Sequence, residues 1–159
     1  MNVQSFGARL FTAIRENNIN AVTRLVSDRP ELLRASDFRG STPLVLATYL
    51  GQAEIAEALL AAGADPDITD KSGNTPLMGV SFKGYTELVD LLLRHGADVN
   101  RTGANGATAL HLAVMFHQPA VVRQLVEAGA DAGARDGEGM TVRERAETMG
   151  LGDLLELLR

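Results

Sequence analysis

The chain contains no cysteine and no tryptophan, and its rings number two tyrosines and five phenylalanines in 159 residues. Without cysteine there is neither a disulfide framework nor a thiolate zinc site. Long apolar runs are missing too: residues 58–62 form one of the longest, far too short to cross a bilayer. Residues 1–18 carry Arg9 and Arg15 without an unbroken apolar stretch, so they do not read as a secretory signal. Cations are in deficit, 15 against 20 acidic residues, for a net charge of −5. These absences point to a soluble, cytoplasmic chain of one domain, and the lack of thiols is compatible with a reducing compartment.

What is present is leucine and alanine, 22 of each, which favours helices. A period then emerges. Asp37, Asp70 and Asp136 are 33 or 66 residues apart, with Gly103 on the missing beat. Gly40, Gly73, Gly106 and Gly139 keep the same step, as do Thr42, Thr75, Thr108 and Thr141. Gly63-Ala64-Asp65, Gly96-Ala97-Asp98 and Gly129-Ala130-Asp131 follow later in each unit. The period divides the chain into full units at 37–69, 70–102 and 103–135, with a shortened one at 136–159.

The pattern resembles the ankyrin repeat. Its most complete instance runs Asp70-Lys71-Ser72-Gly73-Asn74-Thr75-Pro76-Leu77, then Gly84, Glu87-Leu88-Val89, Leu91-Leu92-Leu93 and Gly96-Ala97-Asp98-Val99-Asn100. Residues 3–36 fit as a degenerate first repeat, with Leu10, Phe11, Ala13, Val22, Leu25 and Val26 at apolar positions and a longer loop at residues 28–30. The resemblance implies an all-α solenoid of helix-turn-helix units joined by β-hairpin-like loops, the outer two units acting as caps. High Ala, Gly and Arg in so short a chain suggests a small bacterial member standing alone.

Physical chemistry supports each column. Thr42, Thr75 and Thr108 are placed to cap helix N-termini, and Thr141 with Glu144 forms a capping box. Pro43, Pro76 and Pro119 suit the first helical position. Gly51, Gly84 and Gly150 should end first helices, while Gly63, Gly96 and Gly129 should end second ones. Ile55, Leu59, Leu88, Leu92, Val121 and Leu125 recur at helical spacing as the shared core. A single unit cannot bury its own apolar face, so neighbours must stack. Arg9, Thr12, Glu16, Asn20 and Thr23 give the first unit a wet outer face. Arg143, Glu144, Arg145, Glu147, Asp153, Glu156 and Arg159 do the same for the last.

Catalysis finds no support. His111 stands where the resemblance implies a ring bonded to neighbouring loop backbone, and His111 with His117 lacks the further ligands a metal needs. No phosphate loop, dinucleotide fingerprint or nucleophile elbow occurs, so no cofactor is expected. Unit by unit the charges are +2, −4, 0, 0 and −3, which leaves no basic stripe for nucleic acid. Gly79 inside a helix should loosen it by about 1 kcal/mol.

The resemblance implies that partners bind the concave face, at positions the scaffold leaves free. These fall on Phe38, Arg39, Ser41, Tyr49 and Leu50, then Lys71, Ser72, Asn74, Phe82 and Lys83, then Ala104, Asn105, Ala107, Met115 and Phe116. Tyr49-Leu50, Phe82-Lys83 and Met115-Phe116 recur every 33 residues and should align as a stripe. Aromatic residues, Met and Arg are the usual material of binding hot spots. The expected function is therefore a non-enzymatic module that binds a partner protein, as inhibitor, immunity or accessory factor, without inserting into membranes. The alternative is a structural unit that uses the same stripe to form a homo-oligomer.

Overall fold

The computed structural model describes residues 3–159, and its elements form a regular series. Helix α1 spans Val3–Arg15 and α2 Ile19–Asp28. The full units contribute α3 (Pro43–Tyr49) with α4 (Ala53–Ala61), α5 (Pro76–Lys83) with α6 (Thr86–Arg94), and α7 (Ala109–Met115) with α8 (Pro119–Glu127). Helices α9 (Val142–Thr148) and α10 (Gly152–Leu157) close the series. Odd-numbered helices stack in one row and even-numbered helices in another, with each pair packed antiparallel across the layer between.

The core runs through both rows without a break. Ile55, Leu59, Leu92 and Leu125 are fully buried, and Leu88 and Val121 nearly so. The first helices of the full units have 7 or 8 residues against 9 for the second helices. The first helices and the turns that precede them form one face of the stack, the one the resemblance implies is the inner, concave side.

Caps explain the helix starts. Thr42, Thr75, Thr108 and Thr141 each accept a hydrogen bond from the backbone N–H three residues on. At α7 the His111 Nδ1 accepts in return from the Thr108 N–H, and at α9 the Glu144 carboxylate accepts from the Thr141 N–H. At α5 the partner is the Met78 thioether, a weaker acceptor. Gly84 ends α5 at φ +76°, and its place in the next unit is taken by His117 at φ +49°. A side chain in that left-handed region carries a conformational cost that glycine avoids.

The loops between units are tight hairpin-like turns, closed by backbone bonds such as Asp70 N–H to the Asn74 carbonyl, with one isolated bridge, Arg135 to Thr141, and no β-strand among the described residues. Their shape comes from side chains: Asp37 Oδ1 accepts the N–H groups of Arg39 and Ser41, and Asp70 and Asp136 repeat the pattern. Where Gly103 lacks that carboxylate, Asn105 accepts from the Ala107 N–H instead. The expected loop at 28–30 leads directly into a 3-10 turn, Pro30–Arg34, because Leu32 and Leu33 are drawn into the core. In the last unit, Arg145 is not the loose solvated charge that the sequence suggests. Arg145 bridges Asp136 and Glu138, and its guanidinium, with the Met140 and Glu138 N–H groups, outweighs burial and lowers the Asp136 pKa.

Candidate functional site

The inner face is built from the exposed sides of α3, α5 and α7 and from the turns that precede them. The free positions fall into three groups there. Phe38, Arg39, Tyr49, Leu50, Lys71, Ser72, Phe82, Ala104, Asn105, Met115 and Phe116 are exposed. Ser41, Asn74 and Lys83 are half-buried. Ala107 is buried, so it is not part of the surface.

The rings are not tucked beneath neighbouring turns. Phe38 is 80% exposed, Tyr49 62% and Phe82 41%. Phe82 meets Phe116 edge to face with centroids 4.3 Å apart, a favourable geometry for aromatic pairs. The Lys83 ammonium sits 3.6 Å from the Tyr49 ring centroid and donates to the Tyr49 carbonyl at 2.7 Å. Each contact joins a residue of one unit to the residue one place past its counterpart in the next, 34 positions on, so the stripe is fixed by the stacking.

Sequence reasoning missed the centre of this face. Leu46, Gly79, Leu112 and Arg145 occupy one register of the first helices. Where Leu46 and Leu112 project a side chain, Gly79 is exposed and has nothing within 4 Å of where a Cβ would stand. The result is a notch of about 430 Å³, walled by Val45, Tyr49, Met78, Phe82 and Leu112 and rimmed by Asn74, Lys83 and Asn105. A second hollow of about 440 Å³, beside Phe38 and Arg39, shares Val45, Tyr49 and Asp70 with it, so the two form one trough. Tyr85, also overlooked and exposed, lies beside Gly51 with its ring 5.6 Å from the Lys83 ammonium, outside both hollows. A register comparison across units would have located the notch from sequence alone.

Charges on this face are unevenly partnered. Arg39 lies over the Phe38 ring, and neither Arg39, Lys71 nor Lys83 pairs with a carboxylate among the described residues. The carboxylates nearby are committed elsewhere: Asp37 to Arg15 at 3.0 Å, Asp70 to its own turn. The −4 of unit 37–69 comes largely from Glu54 and Glu57 on α4 and from Asp65 and Asp67 beyond it.

His111 is fully buried, with Nδ1 accepting from the Thr108 N–H and Nε2 donating to the Met140 carbonyl at 3.3 Å. Burial lowers its pKa, against the raising effect of the Met140 bond, so the ring is neutral and structural. No group of three or more His, Cys, Asp or Glu side chains could hold a metal among the described residues. A larger hollow of about 1010 Å³ lies between α1 and α2, but its lining is mostly polar. Its one ring, Phe6, is covered by Arg29 at 4.1 Å. No helix of the described residues is long and apolar enough to cross a membrane.

In comparisons with known proteins, the family described as ankyrin repeats (3 copies) matches residues 7–70 and 51–136. No curated protein matches the chain.

Proposed function

The chain belongs to the ankyrin-repeat family, and on that premise we propose that it binds one partner protein through its inner face, as a cytoplasmic inhibitor, immunity or accessory factor. Ankyrin repeats are generally protein–protein interaction modules and are typically not enzymes. The observation that carries the assignment is the trough lined by Tyr49, Phe82 and Leu112, where apolar side chains stay exposed although the scaffold does not need them there. Exposed large apolar residues gathered in a concavity mark binding surfaces more than scattered ones do. The scaffold is preformed, so little ordering entropy opposes association.

The test places a photo-crosslinking residue at position 82 and, as a control, at Arg94 on α6. Position 82 should capture a partner and position 94 should not. Tyr49→Ala and Phe82→Ala should each weaken binding to that partner by about 1–3 kcal/mol with unchanged helicity. Normal binding by the double variant would move the interface off this face.

A further inference from the structure

The notch and the cations around it say more about the partner than that it is a protein. Three features coincide. The Gly79 notch is deep enough for a side chain and is the one place where the inner register Leu46–Gly79–Leu112 is interrupted. Its walls are apolar, so a charged or amide group placed there would lose its hydration without a full set of partners. Lys83 rims the notch, Arg39 lines the adjoining hollow and Lys71 stands on the turn beside Asp70; none of the three pairs with a carboxylate, whereas Asp37 is paired with Arg15 and Asp70, still charged, is held by its own turn.

Resting on the reading that the inner face binds a partner protein, we propose that the occupant is an acidic peptide segment. One large aliphatic or aromatic side chain of that segment enters the notch over Gly79, and flanking Asp or Glu residues meet Arg39, Lys71 and Lys83. Charge complementarity argues for this sign. The chain carries −5 overall, yet its inner face between Phe38 and Lys83 presents three unpaired cations against the single unpaired carboxylate of Asp70. Such a field speeds approach of an acidic partner and disfavours a basic one. Lys83 has a further role. It now covers the Tyr49 ring at 3.6 Å, and on meeting a carboxylate it would swing away and free that ring for the incoming side chain.

The probe is an array of short synthetic peptides, each with one central leucine, phenylalanine or alanine flanked by glutamates, glutamines or lysines. Glutamate-flanked peptides with a large apolar centre should bind. Alanine centres and lysine flanks should not, and added salt should weaken binding. Gly79→Leu fills the notch with the side chain that the neighbouring units carry and should reduce binding about tenfold or more. Lys83→Gln should flatten the salt dependence and leave the preference for a large centre in place. Thermal melts of both variants establish that they are folded.

Equal binding of lysine-flanked peptides, or full binding by Gly79→Leu, overturns the proposal, as does an array that binds nothing. Self-association that Gly79→Leu abolishes also overturns it, since the occupant is then a second copy. The Tyr49→Ala Phe82→Ala double variant separates this from the broader reading. If peptides of the wrong charge bind and that variant loses them, the inner face stands and only the acidic preference falls. If the variant keeps every peptide, the inner face itself is wrong.

Discussion

Units 70–102 and 103–135 share a backbone and differ in how strictly they obey its rules. In the latter, His111 closes the cap of α7 and reaches the next turn, Leu112 fills the inner register, and Val114 is buried without polar atoms. In the former, Met78 replaces the imidazole, Gly79 empties the register, and Ser81 is buried with its hydroxyl unbonded. All three relaxations fall on one helix, α5, and that helix forms the floor of the notch. Local rules broken together, without a gain in packing, mark a place where something other than stability sets the sequence.

Altering the well-formed unit should have the largest effect. His111→Ala removes a buried ring, leaves the Met140 carbonyl without that bond, and should cost about 3 kcal/mol in urea unfolding. The same pair of proteins tests the ring's protonation. Burial sets the folded pKa below the unfolded value of 6.5, so the unfolded chain takes up the proton first. His111's contribution is therefore whole above pH 6.5 and declines as pH falls through the folded pKa. The stability gap between wild type and His111→Ala should shrink below pH 6.5 and stay constant above it.

Repairing the relaxed unit should work the other way. Gly79→Ala adds a Cβ into open space on a helix and should stabilise by about 1 kcal/mol in the same assay. It should weaken partner binding at the same time, and gains in both would break the comparison. Ser81→Ala removes an unbonded buried hydroxyl and should stabilise by about 0.5–1 kcal/mol, leaving binding unchanged because Ser81 does not line the trough. The smallest effect is expected at His117→Gly. Relief of the φ +49° backbone is set against loss of the exposed bond to Asp153, leaving a net change within about 0.5 kcal/mol.

The parts that were legible in sequence are those where one residue type answers one backbone demand. Threonine caps, prolines at the first helical position and turn aspartates are local matters, and each behaves as its chemistry dictates. Gly79 was read only in part because its meaning is relative: as a helix residue it loosens α5, and as an interruption between Leu46 and Leu112 it also makes a hollow. The helical turn at Pro30–Arg34 was hidden for a similar reason, since Leu32 and Leu33 become core residues only once α1 and α2 supply a surface to bury them. Arg145 reads as a solvated charge until Asp136, nine positions earlier, is folded back beside it.

Side-chain hydrogen bonds to backbone carbonyls knit the units together. Gln52 donates to the Ile14 carbonyl, Lys83 to that of Tyr49, Gln118 to that of Phe82 and Gln124 to that of Thr86. In these four the later unit supplies the donor, while Asn100 and His111 donate forward to the Gly129 and Met140 carbonyls. Units of such a chain are not interchangeable bricks: moved to a new neighbour, each would need matching donors and carbonyls there.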